Sequence, residues 1–431
     1  MVTVLKVTMW GKDVAAITWE KEKEIAVIEF FESFVSERLD IAPLVMPWDD
    51  LLRGDRIFSF PAHKTKTFKG LPGLLADSLP DDYGNRVIDE WFAAKGITGS
   101  VSPLDRLSYI GKRGMEALEF EPATNLKELD ESSRIEIEQI TELAKQLFNQ
   151  RESFVAHLQR NDKTIMDILR VGTSAGGAKP KAIIAYNEKT KEVRSGQVMA
   201  PKDFGYWILK FDGVEENKVK DNPMGIGRIE YAYHKMAVDC GIAMTACKLL
   251  YEGDYAHFMT KRFDRTDNCE KLHTQTLCAI AHFDRDERYA YEQLFQTMRR
   301  LHLPYKDMEQ MFRRMTFNVI TRNHDDHTKN HSFIMNKSGS WSLAPAYDLC
   351  YSYSPSGKWT SQHQLSINGK RDHFVKDDLL QVARKADIKH AKAIIEQVID
   401  VVSNWEIYAK SVEVKPEFIS SIRKTLRTGI I

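Results

Sequence analysis

The sequence predicts a mixed α+β fold built from two or three lobes. The chain has 431 residues, 43% of them hydrophobic, which is enough material for about three domains of average size. Its opening, Val2–Val27, alternates apolar and polar residues as strands do. Helical periodicity dominates from Tyr289 to Thr321 and again from Asp377 onward. Strand-rich and helix-rich regions that follow one another are typical of an α+β protein.

The elements follow in order along the chain. Two strands flank the turn at Gly11–Asp13 and a third covers Ile25–Phe30, in a β-rich module that we expect to end near Pro122. The middle of the chain adds four strands and a helix: Ala182–Tyr186, Tyr206–Phe211, a pair around Glu252–Asp254, and the helix Glu230–Asp239. An irregular insert with short strands, His324–Tyr351, separates the two helical stretches of the C-terminal region.

Composition excludes several classes of protein. Lys and Arg together number 61 and so do Asp and Glu, so no overall charge attracts the chain to nucleic acid or to an anionic membrane. Five cysteines without a CxxC pair favour a reducing cytoplasm over a disulfide framework. The N-terminus has no apolar signal segment, and no apolar run reaches the length of a membrane span, so we expect neither a secreted nor a membrane protein.

The strongest chemical signal is His324-Asp-Asp-His-Thr-Lys-Asn330, followed by Ala346-Tyr-Asp-Leu349. Phosphoryl transfer needs a carboxylate for the substrate hydroxyl, and an Asn and a second Asp for Mg²⁺. In the protein-kinase catalytic loop the base and the Asn lie five positions apart, which fits Asp325 with Asn330, whereas Asp326 is one position too close. Asp325 is therefore the predicted base. Asp348, after the strand-like Trp341–Ala344, is the predicted second metal ligand.

A glycine-rich segment precedes the middle strands. Val171-Gly-Thr-Ser-Ala-Gly-Gly-Ala-Lys-Pro-Lys181 is either a phosphate-binding loop, with Lys181 as a phosphate contact, or a flexible turn, and it is not a Walker A motif. Lys210 is a lone charge in an apolar strand. It is typical of the kinase lysine that pairs with the α and β phosphates, or of a lysine reaching solvent from an edge strand. Glu230 is a candidate partner for Lys210, or an exposed residue of its helix.

The strand that ends at Met259–Asp264 would then be the hinge that reads adenine. Phe263 would pack on the base, unless it is a core residue, and Asp264 would lie near the ribose. Lys329, between the base and the Asn, would neutralise charge on the transferred phosphoryl group. The order of glycine-rich loop, strand lysine, helix glutamate, hinge, base and metal ligands is that of a two-lobed kinase fold.

With these motifs the chain resembles the HipA family of serine/threonine kinases, the toxins of type II toxin–antitoxin modules. Leu71–Gly84, Arg113–Leu118 and Arg262–Arg265 also match the family. The resemblance implies a kinase-like fold related to phosphoinositide 3-kinases, with an all-helical C-terminal lobe, and ATP and Mg²⁺ as cosubstrates. It divides the chain into an N-terminal module (1–122), the remainder of the ATP-binding lobe with the glycine-rich loop (123–265), and a helical lobe with the catalytic motifs (266–431).

By position, the resemblance makes Asp325 the catalytic base and Asn330 and Asp348 the Mg²⁺ ligands. The predicted nucleotide contacts are Lys181, Lys210, Arg262, Phe263, Asp264, His327 and Lys329. Ser174 matches the loop serine that family members autophosphorylate to switch the kinase off, with Thr173 as the alternative acceptor. The chain departs from the family pattern at His324 and in carrying the extra Asp326.

The resemblance also implies partners. The family phosphorylates protein substrates, among them aminoacyl-tRNA synthetases, and thereby arrests growth. A small helix-turn-helix antitoxin similar to HipB binds the kinase and the operator DNA, so the neutral chain would meet DNA mainly through its antitoxin. Three alternatives stay open: a metal-dependent phosphohydrolase using the His324-Asp325 pair and His327, a catalytically silent corepressor, and a kinase for a small molecule.

Overall fold

The structure is a computed structural model that describes residues 2–80, 82–94, 101–123, 132–149, 169, 171–172, 180–214, 225–266 and 268–430. The chain divides into two compact units. Unit 1 comprises Met1–Ala42, Met46–Met224 and Lys248–His273, and unit 2 comprises Pro43–Val45, Gly225–Cys247 and Thr274–Ile431. The three-part division of the sequence stays a prediction.

Unit 1 begins with an antiparallel sheet in the order β4-β3-β2-β1-β5. Its strands are β1 (Val4–Met9), β2 (Lys12–Glu20), β3 (Ile25–Phe30), β4 (Ile57–Ser59) and β5 (Leu118–Glu121). Trp10 and Gly11 both have positive φ angles in the turn between β1 and β2, as a tight hairpin requires. The strand-rich opening and its turn are thus confirmed.

A second antiparallel sheet of unit 1 has the order β7-β6-β8-β10-β9. Its strands are β6 (Lys181–Asn187), β7 (Val193–Ser195), β8 (Phe204–Lys210), β9 (Cys247–Glu252) and β10 (Tyr255–Lys261). Every residue of β6 is buried, which explains its uninterrupted apolar run. The four strands predicted for the middle of the chain are confirmed.

Six helices complete the described part of unit 1: α1 (Glu32–Val35), α2 (Trp48–Arg53), α3 (Gly73–Ala76), α4 (Asp82–Ala94), α5 (Pro103–Ile110) and α6 (Ile137–Asn149). Ser102 and Asp105 form a capping box that fixes the start of α5. The core of this unit joins Val87 and Trp91 of α4 to Ile184 of β6 and Leu209 of β8.

Unit 2 is mainly helical. Its helices are α7 (Ile226–Asp239), α8 (Leu277–Ala281), α9 (Tyr291–Arg300), α10 (Tyr305–Thr321), α11 (Lys376–Lys385), α12 (Ala391–Ser403), α13 (Trp405–Ser411) and α14 (Pro416–Arg423). Helix α10 is buried along most of its length. It gives Met311 and Met315 to one apolar cluster, and Phe317 and Ile320 to another, so it is the central helix of the unit.

Short strands interrupt these helices: β11 (His273–Thr276), β12 (Tyr289–Ala290), β13 (Ser332–Met335), β14 (Trp341–Leu343) and β15 (Leu365–Ser366). Strands β13 and β14 form an antiparallel hairpin, and β12 pairs with β15 in parallel. The expectation of an all-helical C-terminal lobe is therefore wrong. The insert that the sequence predicts as irregular and short-stranded is confirmed.

Candidate functional site

The hairpin β13–β14 brings the two acidic motifs of unit 2 together. Asn330 lies just before β13 and Asp348 soon after β14, and the strands pair from Phe333 with Leu343 to Met335 with Trp341. Tyr347 fastens the second motif to the first, because its hydroxyl donates to the Lys329 carbonyl at 2.7 Å. Asn330 and Asp348 line the same pocket of unit 2. One short hairpin thus brings Asn330 and Asp348 together, although they are eighteen positions apart in the sequence.

The loop from Asn323 to Asn330, which carries the predicted base and is called the catalytic loop below, is held in shape by its own residues. Helix α10 ends at Arg322, which has a left-handed backbone conformation, and the loop ends in a 3₁₀ turn over Thr328–Asn330. The Nδ2 of Asn330 donates to the carbonyl of Asp325 at 2.6 Å. This bond spans the five-residue spacing that the sequence singled out, and it uses the amide nitrogen of Asn330.

Asp325 presents its carboxylate to solvent, with 46% of the side chain exposed. Nδ1 of His327 accepts a hydrogen bond from the Lys329 backbone at 3.2 Å, so Nε2 carries the ring proton and lies 3.6 Å from the Asp325 carboxylate. Burial keeps the pKa of His327 below its usual value, although the carboxylates of Asp325 and Asp348 favour the charged form. Burial thus favours the neutral form of His327 beside the Asp325 carboxylate.

Asp326 has the opposite environment. Its side chain is fully buried and accepts hydrogen bonds from the Gln364 backbone at 2.7 Å, from the Tyr291 hydroxyl at 2.9 Å and from Nδ1 of His363 at 2.8 Å. Burial alone would raise the pKa of Asp326, but His363 and these donors outweigh it and keep that pKa below its usual value. The structure thus separates two adjacent aspartates: Asp325 is available to a substrate and Asp326 anchors the loop.

Asp348 has a left-handed backbone, with φ of 54°, a conformation that is uncommon for a residue other than glycine. The donor set of Asn330 and Asp348, an amide and a carboxylate, is one that suits Mg²⁺, which prefers oxygen ligands and keeps several waters. No group of three or more His, Cys, Asp or Glu side chains that could hold a metal occurs among the described residues. The donors present therefore fit a hydrated hard cation.

Two predicted phosphate contacts lie in unit 1. Lys181 begins β6 and Lys210 ends β8, and the two residues are directly opposite each other in the sheet. Opposite residues of antiparallel strands project from the same face about 5 Å apart. The sheet thus gathers two cationic side chains at one end of two neighbouring strands. Thr173, Ser174 and the rest of the glycine-rich loop up to Lys179 lie outside the described residues.

The predicted hinge residues form a buried ion-pair cluster in unit 1. Asp264 accepts from Arg262 at 2.8 and 2.6 Å, from Arg265 at 2.7 Å and from the Glu116 backbone at 3.0 Å. Burial opposes ionisation, but Arg262 and Arg265 hold the pKa of Asp264 well below its usual value. Both carboxylate oxygens are used within unit 1, so the structure favours a packing role for Arg262 and Asp264 over the predicted nucleotide contacts. Phe263 is partly exposed, and its contact with adenine stays a prediction.

Glu230 is buried in α7 of unit 2, so the alternative of an exposed helix residue is wrong. Lys210 belongs to unit 1, and the pairing of the two stays a prediction. The role of the Lys329 ammonium also stays a prediction. Sequence reasoning missed Asn323, which lines the same pocket as Asn330 and Asp348, although it stands two positions before the predicted base. The contacts of Tyr291 and His363 with Asp326 could not be predicted from the sequence, since only tertiary packing brings these residues together.

Comparisons with known proteins identify the family. The model of the HipA-like C-terminal domain matches residues 173–405, and that of the HipA N-terminal domain matches residues 5–121. No curated protein sequence matches the chain significantly. None of the described helices is long and apolar enough to cross a membrane.

Among solved structures, the chain is similar to one from the complex of HipA, HipB and operator DNA of a Shewanella oneidensis MR-1 toxin–antitoxin system. That match has a TM-score of 0.66 and 16% identity, and it covers 97% of this chain and 95% of that one. A second match, to the proinflammatory kinase CtkA of Helicobacter pylori, has a TM-score of 0.36 and 14% identity over 59% of this chain and 92% of that one, and is too distant to inform the fold. The two domain models together span most of the sequence, and the chain belongs to the HipA family.

Proposed function

We propose that this protein is an ATP- and Mg²⁺-dependent serine/threonine protein kinase, the toxin of a type II toxin–antitoxin module. The observation that carries the proposal is the catalytic loop of unit 2. There Asp325 is exposed, Asp326 is turned into the core, and Asn330 and Asp348 line one pocket. A base beside an amide and a carboxylate is the arrangement that phosphoryl transfer uses.

Each residue has a separate task in this mechanism. Asp325 accepts the proton of the substrate hydroxyl as that oxygen attacks the γ-phosphorus, while the bond from the γ-phosphorus to the bridging oxygen breaks and ADP leaves. His327 lies 3.6 Å from the Asp325 carboxylate. Asn330 and Asp348 would hold Mg²⁺ through their side-chain oxygens. The metal, when bound, neutralises charge on the nucleotide phosphates. The task of Asp325 is to accept a proton. Asparagine cannot replace it, because an amide is not a base at neutral pH.

The lysines of unit 1 would bind the phosphates. Lys181 and Lys210 stand opposite each other on one face of the sheet. Lysine is a common phosphate-binding residue, so we expect the ATP phosphates to bind at this end of the two strands. The proposed inhibitory phosphorylation of Ser174, or of Thr173, would add a competing dianion in the loop that precedes Lys181.

The proposed partners follow from the family. We expect a HipB-like helix-turn-helix antitoxin, contact with operator DNA mainly through that antitoxin, and a protein substrate from translation such as an aminoacyl-tRNA synthetase. The Shewanella protein supports the first two, since it was solved with HipB and its operator DNA. The proposed place of action is the cytoplasm, where the five cysteines stay reduced. The relation to phosphoinositide 3-kinases likewise stays a prediction.

The test is incubation of the purified chain with γ-labelled ATP and Mg²⁺, alone and with a cytoplasmic lysate, followed by mass spectrometry of the labelled proteins. We expect label on the loop at Ser174 or Thr173 and on a discrete lysate protein. Asp325→Asn should lower transfer by at least about a hundredfold, the usual contribution of a general base. Asp387→Asn, the same change at an exposed carboxylate of unit 2, is the matched control and should retain activity.

Other outcomes separate the alternatives. Binding of ATP without any transfer would favour the corepressor, and transfer only to a low-mass acceptor would favour a small-molecule kinase. Phosphate release that needs a tightly retained transition metal and no ATP would favour the phosphohydrolase. Full activity of Asp325→Asn would contradict the assigned base.

A further inference from the structure

A chain of buried hydrogen bonds in unit 2 has a fixed direction. It begins at Asp326, whose carboxylate can only accept, so the Tyr291 hydroxyl must donate to it, at 2.9 Å. The tyrosine oxygen then accepts from Nδ2 of Asn318 at 3.0 Å. Asn318 therefore turns its amide oxygen the other way, where it accepts from Nδ2 of Asn323 at 2.9 Å. The order of donors leaves no freedom to exchange the amide groups.

This series of hydrogen bonds ends at the amide oxygen of Asn323. The side chain is 2% exposed, its nitrogen is already used, and its Oδ1 is buried without a hydrogen-bond partner. Leaving such an acceptor unsatisfied costs about 1–3 kcal/mol. Asn323 lines the pocket that Asn330 and Asp348 line. An unsatisfied oxygen thus belongs to a residue that lines the same pocket as the two predicted metal ligands.

We propose that Asn323 supplies a third oxygen to the Mg²⁺ site, and that Asp326 fixes this oxygen in place through Tyr291 and Asn318. The inference deepens the proposed function and rests on it. Asn323 binds the metal directly or through one of the waters that Mg²⁺ retains. Asp326 is a positioning residue, since it acts only through the hydrogen-bond chain.

Other polar groups of the pocket make a water molecule the alternative partner of the Asn323 oxygen. Nε of Arg314 and Nε2 of His331 are also buried without partners and belong to lining residues. A water held by these nitrogens is the alternative destination for the Asn323 oxygen. Arg314 is already committed on its other side, where Nη2 donates to the Ala344 carbonyl at 2.7 Å. If Asn323 binds Mg²⁺, its substitution changes the metal affinity. If its oxygen binds only a water, the substitution leaves the metal affinity unchanged.

The test measures Mn²⁺ binding to the full-length protein in the presence of ATP, by the loss of the free Mn²⁺ signal in electron paramagnetic resonance. Asn323→Leu removes the oxygen at similar volume and should weaken Mn²⁺ binding about tenfold or more, as changes around metal sites do. Asn323→Asp keeps an oxygen and adds a charge, so it should bind Mn²⁺ more tightly than Asn323→Leu, even though it loses the Nδ2 donor to Asn318. Asn404→Leu, at an exposed helix end, is the matched control and should not change affinity.

Tyr291→Phe cuts the chain while leaving Asn323 itself intact, and it should weaken Mn²⁺ binding by a smaller factor than Asn323→Leu. Unchanged affinity in Asn323→Leu, together with lost affinity in Asp348→Asn, would overturn the inference and leave the proposed function standing. Absence of ATP-dependent Mn²⁺ binding in the unchanged protein would overturn the metal site of the proposed function and this inference with it. If Asn323→Leu does not fold, Tyr291→Phe still decides the matter, because unchanged Mn²⁺ affinity in that variant would overturn the inference.

Discussion

At the scale of single residues, Asp325 and Asp326 show how neighbours of the same type acquire different roles. One carboxylate is 46% exposed, and the other is completely buried under three donors. The difference arises because Asp326 meets buried donors from Tyr291, His363 and the Gln364 backbone, whereas the Asp325 side chain lies at the surface. Substitutions at the two positions should therefore fail in different ways.

Asp326→Asn should destabilise the fold. The variant replaces an acceptor of several hydrogen bonds with an amide whose NH₂ group faces other donors, which costs about 2–4 kcal/mol. We expect a lower urea midpoint for unit 2, measured by circular dichroism. Asp325→Asn should leave the midpoint unchanged, and a midpoint for Asp326→Asn that equals that of the unchanged protein would show that the buried network contributes nothing.

The partly buried carboxyl of Asp40 should make the stability of the N-terminal module depend on pH. Its carboxyl accepts from the Trp48 backbone at 3.2 Å, and burial, with Asp49 nearby, raises the pKa of Asp40 from 3.8 to about 6. The folded state therefore holds this proton more tightly than the unfolded state. Stability from this group is present below the unfolded pKa and is lost as pH rises through the folded pKa.

Asp40→Asn removes the charge and should raise the free energy of unfolding by about 1 kcal/mol near pH 7.5, after allowance for solvent screening, and by little near pH 4. Urea titrations at both pH values measure the difference. Asp55→Asn, at an exposed position of the same module, serves as control. An equal effect of Asp40→Asn at both pH values would refute the assignment.

At the scale of elements, the ends of β6 and β8 form the cationic part of the proposed nucleotide site. Lys210 lies opposite Lys181, and its ammonium is 5.6 Å from the centre of the Phe258 ring. Lys210→Met keeps the apolar stem over that ring and removes the charge. We expect ATP affinity to fall about tenfold, the loss of one hydrogen bond to a charged group.

Calorimetric titration with a non-hydrolysable ATP analogue measures this loss. Lys189→Met changes an exposed lysine between β6 and β7 and should bind the analogue as the unchanged protein does. Equal affinities in Lys210→Met and Lys189→Met would remove the strand lysine from the nucleotide site.

The elements also show what sequence can supply. Strands such as β6 and helices such as α10 were predictable, because apolar periodicity is local. The pairing of Asp325 with Asn330 was predictable for the same reason. The packing role of Asp264 was not, since a polar residue in a motif looks the same whether it meets a nucleotide or two buried arginines. The Tyr291–Asn318–Asn323 chain needed the tertiary structure, because its members come from different elements.

At the scale of the whole molecule, the described residues form two units with separate apolar cores. The core of unit 1 lies around β6 and β8, and unit 2 has clusters on two sides of α10. Such a chain need not unfold in a single step. We therefore expect a ligand that binds residues of unit 2 to raise the unfolding temperature of unit 2 more than that of unit 1.

Mg²⁺ with ATP should raise the melting temperature of the unchanged protein. At a hundred times the dissociation constant, binding adds about 2.7 kcal/mol to the stability of the state that binds. Differential scanning calorimetry with and without EDTA measures the contribution of the metal. Asp348→Asn should show a smaller shift that EDTA hardly alters, and an EDTA-sensitive shift of full size in this variant would contradict the metal-ligand assignment.

The left-handed backbone of Asp348 restricts which amino acids can occupy that position. Only glycine, asparagine and aspartate adopt this conformation readily, and other residues pay about 1–2 kcal/mol for it. Alanine, the usual choice for inactivation, would confound lost chemistry with backbone strain. Mutational scanning of this site should therefore give the smallest loss of stability for asparagine and glycine, and asparagine becomes the natural choice for trapping a stalled complex for crystallography.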